Sequence, residues 1–201
     1  MSFFPPDPDL PPEPEEVESS SPPWWGAPDD ELPALLPVAE ILARTEHVAL
    51  ALVGVAVHRS GVEFRLTGRL RRRGLPAREW NDLCAAFVGH HPHGPIDDAR
   101  DRLRYGVELS DGERVFADHF FAVPDPSQEP GGHVLSRRGG SSGGGSRTYT
   151  SDDQLWLWPL PPAGPIDLVM QWPALGIGER RVRLDGAAML ALVDRVGSFW
   201  P

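Results

Sequence analysis

The chain contains no lysine, one cysteine, one asparagine and four isoleucines among its 201 residues. A single cysteine excludes an intrachain disulfide, a thiolate zinc cage and a CxxC redox pair. The missing lysine excludes the Gly-Lys-Ser/Thr ending of a phosphate loop. The longest uninterrupted apolar run, residues 48–57, has ten residues including a glycine, whereas a spanning helix needs about 20. The opening Met1-Ser-Phe-Phe-Pro-Pro-Asp-Pro-Asp has neither the basic nor the apolar region of a secretory signal. These absences predict a soluble, cytoplasmic protein with no membrane partner.

Positive charge is missing from one end. Residues 1–40 hold ten acidic residues and no arginine, which accounts for the whole formal net charge of −10. The other 161 residues hold 19 acidic residues and 19 arginines. A neutral body gains little from counterion release, so no nucleic-acid partner is expected. Arg71-Arg72-Arg73, the one dense basic run, reads as a solvated strand end. Eleven of the 23 prolines also fall in residues 1–40. Such a stretch buries too little surface to offset its ordering entropy, so residues 1–34 are expected to be a disordered acidic arm. Its adjacent Trp24 and Trp25 have two readings. They dock into a protein partner's groove, or they fold back and cover an apolar patch on their own body.

The body, residues 35–201, reads as one domain built of strands. In residues 62–70, Val62, Phe64, Leu66 and Leu70 alternate with Glu63, Arg65, Thr67 and Arg69, the period of a half-buried antiparallel strand. It forms a hairpin with residues 47–58, where Val53, Val55 and Val57 are expected to share a face. A weaker strand is expected at 38–43. Leu103, Tyr105, Val107 and Leu109 alternate again, and Asp111-Gly112 turns the chain back into a strand at 114–121. Three further strands are expected at 148–158, 166–172 and 179–184. Two segments change period. Trp80, Leu83, Cys84, Phe87 and Val88 lie on one helical face, ended by Gly89. Asp185 looks like an N-cap, with Leu184 and Met189 as a staple and Met189, Leu192, Val193 and Val196 as a stripe ended by Gly197. Residues 124–147 are rich in Gly and Ser and read as a flexible loop. Seven or eight strands, two short helices and no βαβ rhythm predict an all-β, antiparallel, immunoglobulin-like sandwich, with a barrel as runner-up.

The stretch Trp158-Pro159-Leu160-Pro161-Pro162-Ala163-Gly164-Pro165, with Trp172-Pro173-Ala174-Leu175-Gly176-Ile177-Gly178-Glu179, resembles a segment of an uncharacterised protein family of high-GC actinobacteria. The resemblance implies a lineage and no chemistry.

Candidate chemistry is sparse. His91 and His93 in His90-His91-Pro92-His93 point the same way in an extended chain, as metal ligands do, and His119 on the strand at 114–121 is a third candidate. The segment is full of Pro and Gly and lacks helical ligand spacing, so a solvated loop is the preferred reading. Gly140-Ser141-Ser142-Gly143-Gly144 matches Gly-x-Ser-x-Gly, but it lies in a glycine run without the strand and helix of a nucleophile elbow. Cys84 lies on an apolar helical stripe and reads as an inert thiol. The adjacent pairs Asp97-Asp98 and Asp152-Asp153 read as surface turns. Leu155-Trp156-Leu157-Trp158 makes both faces of its strand apolar, so that strand must be covered twice. The cover is the sandwich core on one side and a helix or Trp24-Trp25 on the other. The competing reading is an exposed indole platform of Trp156, Trp158 and Trp172 that stacks on a sugar or small ligand.

These readings rank a non-catalytic protein-interaction module first, contacting its partner through the arm. A carbohydrate- or small-ligand-binding sandwich is second, and a metal-dependent enzyme on the histidines third. No cofactor is expected.

Overall fold

The computed structural model describes residues 21–88, 102–117, 128–138 and 140–201. In chain order its strands are β1 (Glu31–Leu32), β2 (Ala34–Leu36), β3 (Glu40–Arg44), β4 (Val48–Val57), β5 (Val62–Arg71), β6 (Arg104–Glu108), β7 (Arg114–Phe116), β8 (Val134–Arg138), β9 (Ser142–Gly144), β10 (Thr148–Trp158), β11 (Pro165–Trp172), β12 (Ile177–Asp185) and β13 (Gly197–Ser198). Helix α1 (Ala77–Val88) follows β5, and the short helix α2 (Gly186–Leu190) follows β12.

Two antiparallel sheets form the sandwich. The larger runs β2-β4-β5-β10-β8, with β3 also on β4 and β9 also on β10; the smaller runs β12-β11-β6-β7. Strict alternation explains the layering. Phe64, Leu66, Leu155 and Leu157 of the large sheet and Tyr105, Val107, Leu168 and Met170 of the small one share a single core. β3 lies beside β12 at one rim and β7 beside β8 at the other. No ladder joins the two sheets among the described residues, so the body is a sandwich and not a barrel. Helix α1 closes the interior with Phe87, whose ring stacks on Trp172 at 5.4 Å. Gly68 makes room for that ring, since a Cβ there would lie 2.5 Å from Phe87 Cζ.

The residue pattern misleads at four places. In β4, Val53 is 51% exposed while Val55 and Val57 are fully buried. The register passes from Leu52↔Leu66 to Gly54↔Arg65, which makes Val53 the extra residue of a bulge. Inward alternation runs 48, 50, 52 before the bulge and 55, 57 after it. The second correction concerns the arm. Residues 21–34 are packed on the body: β1 pairs with β13 and Ala34 of β2 pairs with Val57 of β4. Only residues 1–20 of the expected disordered arm lie outside the described residues. Third, the expected loop at 124–147 contains β8 and β9, both paired with β10. A long two-sided strand offers free ladder groups on its second edge, and these two short strands take them up. Fourth, the final helix stops at Leu190. The Leu192, Arg195 and Val196 amides donate three residues back, which tightens the chain, and Gly197 enters β13. Asp185 does cap α2, its Oδ1 accepting the Ala187 amide at 2.9 Å.

The bulge generates a test. Val53→Asp should change stability by no more than about 0.5 kcal/mol. Val55→Asp, which puts an unpaired charge in the core, should cost at least about 3 kcal/mol or abolish folding. Urea unfolding of both variants measures the contrast, and equal costs would refute the register.

Candidate functional site

The outer face of the small sheet carries the most developed surface feature. Outward positions on β6 are Arg104, Gly106 and Glu108, and those on β11 are Asp167, Val169 and Gln171. Cross-strand pairing aligns them in two rows. One row runs Phe116, Gly106, Val169, Arg181; the other runs Arg114, Glu108, Asp167, Arg183. Gly106 supplies no side chain, and the Phe116 ring lies alongside it: an added Cβ would sit 3.2 Å from Phe116 Cδ1. The result is a depression of about 150 Å³ lined by Gly106, Phe116 and Val169 and rimmed by charged side chains.

The rim is an ionic lattice. Glu108 and Asp167 are direct cross-strand partners, a like-charge pairing that is unfavourable alone. Arg181 Nη1 lies 3.2 Å from Glu108 and 3.7 Å from Asp167, while its Nε holds Glu179 at 2.9 Å. Arg114 adds a 3.0 Å contact to Glu108, and Arg183 donates to both oxygens of Asp167 at 2.9 and 3.1 Å. The hydrogen bond from Arg181 holds the Glu108 carboxyl below its ordinary range, and that from Arg183 does the same for Asp167. Both carboxylates are therefore charged at neutral pH, and neither is poised as a general acid.

The tryptophans singled out above sit elsewhere. Trp156 and Trp158 are 0% and 8% exposed, and Trp172 is 1% exposed inside the main core. The indole platform is corrected accordingly: none of the three presents a face to solvent. The outer cover of β10 is the arm itself. Trp24 is buried and meets Trp158 edge-on at 5.7 Å. Trp25, Ala27 and Val134 pack around the pair. Trp156 Nε1 donates to the Pro23 carbonyl at 2.9 Å, and Gly61 lets the Trp156 ring approach, since a Cβ there would lie 2.7 Å from it. Trp24 and Trp25 thus follow the fold-back alternative.

The remaining candidates separate. His91, His93, His119, Asp97 and Asp98 lie outside the described residues. Among the described residues no group of three His, Cys, Asp or Glu side chains is placed to hold a metal. Ser142 lies on the edge strand β9, which runs into β10 and not into a helix. Burial pushes the half-buried Cys84 thiol up, away from thiolate. Asp152-Asp153 is not a turn: both residues lie in β10 and face opposite ways. Asp152 accepts from Thr67 Oγ1 at 2.6 Å on the exposed side. Asp153 is buried and paired with Arg137 at 2.7 Å, whose guanidinium lies over the Tyr105 ring. Burial, with the Asp153 charge behind it, pushes the Tyr105 hydroxyl far up, so it stays protonated. No helix among the described residues is long and apolar enough to cross a membrane.

A cluster missed by the residue pattern joins the arm to the body. Glu31 of β1 lies 3.3 Å from the buried His58 Nδ1 and accepts from the Arg59 amide and guanidinium at 3.1 and 3.2 Å. Arg59 also donates to the Val196 carbonyl at 3.0 Å. Its members are scattered in sequence, and no spacing rule links them. Burial lowers the His58 pKa from 6.5 against the opposing pull of Glu31. The unfolded chain therefore takes up this proton first. Stability from neutral His58 is complete above 6.5 and is lost as pH falls below that value. Urea midpoints of the wild type minus those of His58→Gln should fall between about pH 7 and pH 5. A flat difference would show that His58 does not titrate this way. Comparison with protein-family models, curated proteins and solved structures finds no match for this chain.

Proposed function

We propose that the chain is a non-catalytic protein-interaction module that works in the cytoplasm. The observation that carries this reading is the depression at Gly106. At about 150 Å³ it falls below the roughly 300–1,000 Å³ of small-molecule sites. It suits one apolar side chain of a partner. Phe116, 53% exposed on the edge strand β7, offers the contact area. The rim guanidiniums are already fixed by carboxylates, so little side-chain entropy is lost when a partner closes over them. The acidic residues at 7, 9, 13, 15, 16 and 18 supply a second contact, to a partner carrying positive charge. Neither contact calls for a nucleic acid, and the reading needs no cofactor.

Affinity capture from extract of the source cells tests the reading. Bait chains are the wild type, Phe116→Asp, and a chain lacking residues 1–20. The truncation stops at residue 20 because the residues that follow pack on the body. A protein retained by the wild type should be lost or reduced about ten-fold with Phe116→Asp, as expected for a central aromatic anchor. The truncated chain should bind it with weaker salt dependence. Identical capture by all three baits would remove both contact sites from the account.

A further inference from the structure

The two strands β1 and β13 form a ribbon with one face on the body and one face away from it. Cross-strand pairing sets Glu31 opposite Ser198 and Leu32 opposite Gly197, and the Phe199 amide donates to the Asp30 carbonyl at 2.9 Å. Alternation then assigns Glu31 to the inner face, where His58 and Arg59 meet it. Asp30, Leu32 and Phe199 share the outer face, with Leu32 and Phe199 as diagonal neighbours. Gly197, opposite Leu32, has no side chain, so the two apolar groups border a gap. Leu32 and Phe199 are 49% and 55% exposed, and Trp200, next along the chain, is 71% exposed. These aromatics do not trail loosely. Ser198 Oγ donates to the Trp200 carbonyl at 2.7 Å and accepts the Trp200 amide at 3.1 Å. A backbone fixed in advance gives up little entropy when the side chains it carries are covered.

Single exposed apolar groups need no explanation, but this set is contiguous, and tryptophan is enriched at binding hot spots. The surrounding charge selects the occupant. Asp30 lies directly across from Phe199, the exposed Asp29 precedes it, and residues 1–20 add six carboxylates and no arginine. A second copy would bring the same carboxylates against these, so like charge opposes self-association through this face. A guanidinium suits it. That group pairs with a carboxylate and stacks on an aromatic ring, and Asp30 and Phe199 offer both on adjacent strands. We propose that the outer face of the ribbon, formed by Asp30, Leu32, Phe199 and Trp200, docks a segment of a partner protein that carries arginine beside an apolar side chain. The apolar group fills the gap over Gly197, and the arginine takes Asp30 and an aromatic face. The proposal rests on the protein-interaction reading, but the ribbon is separate from the depression at Gly106, and either contact can fail without the other.

The test uses the full chain and a fluorescein-labelled synthetic helix of leucine, alanine and arginine, with leucine and arginine on one face. Fluorescence anisotropy should show saturable binding to the wild type. Phe199→Ser combined with Trp200→Ser should weaken it about ten-fold, and Asp30→Asn about three-fold. All three positions are exposed, so these substitutions remove no buried contact. Phe116→Asp should bind as the wild type does. A wild type that does not bind overturns the proposal and leaves the Gly106 depression untouched. Undiminished binding by the Phe199→Ser, Trp200→Ser chain overturns it too, since the contact then lies on the acidic residues 1–20. Equal binding of a twin peptide with glutamate in place of arginine has the same force. Binding lost with Phe116→Asp moves the peptide to the Gly106 depression and overturns this proposal alone. Two further assays address other occupants. A dimer in sedimentation that dissolves in the double variant makes a second copy the occupant. Flotation with phosphatidylcholine vesicles that needs the same two aromatics makes it a membrane surface. Either result overturns the assignment to a partner protein.

Discussion

The structure turns on the two-sided apolarity of β10. Leu155 and Leu157 face the sandwich core, and Trp156 and Trp158 face the other way. A strand at the centre of an antiparallel sheet normally has one wet face, and this one has none. Burying an indole removes about 150–250 Å² from water, worth about 4–6 kcal/mol at about 25 cal/mol per Å². Two such groups are too costly to leave exposed, so the chain brings a second layer to them. That layer is neither a helix nor a third sheet. It is the acidic, proline-rich segment that precedes the body.

Indole burial alone does not hold that segment. Fixing the backbone costs about 1–2 kcal/mol for each residue, and the stretch from residue 21 to β1 is long. A second attachment is required, and Glu31 supplies it. Its carboxylate receives the Arg59 amide and guanidinium, while Arg59 reaches on to Val196. One carboxylate thereby ties β1, the β4–β5 turn and the chain leading into β13. The Glu31↔Ser198 and Leu32↔Gly197 pairs extend the same tie into a two-stranded ribbon. The prolines in between reduce the entropy of the free segment, which lowers the cost of ordering it.

Local periodicity made the long strands legible. Val62, Phe64, Leu66 and Leu70 announce β5, and the Asp111-Gly112 turn announces the β6–β7 hairpin. Periodicity carries no information on a single inserted residue, so Val53 looked like a core position until the bulge set it outside. Composition misjudged residues 21–34 for a related reason. Proline and acidic residues describe the cost of ordering a segment, whereas the reward for ordering lay more than a hundred positions away at Trp156 and Trp158. β9 escaped notice because glycine and serine have little strand preference of their own, and β8, Val-Leu-Ser-Arg-Arg, because it is a short run set between glycine pairs. They are strands because β10 has an edge to fill. The small-sheet depression was equally hidden, since it depends on Gly106 lying between Phe116 and Val169, on strands far apart in the chain.

The two outer faces answer the same problem by opposite means. On the small sheet, Glu108 and Asp167 sit directly opposed, and Arg114, Arg181 and Arg183 neutralise them from three sides. The charges are held by one another, so the face stays polar and solvated around the apolar dent at Gly106. On the large sheet the outer apolar surface is confined to Trp156, Trp158 and Val134, and the segment with Trp24, Trp25 and Ala27 covers it. The segment belongs to the same chain, so its docking there is an intramolecular event favoured by a high effective concentration. One face is closed by ion pairs between its own strands, and the other by apolar burial under a segment of the same chain.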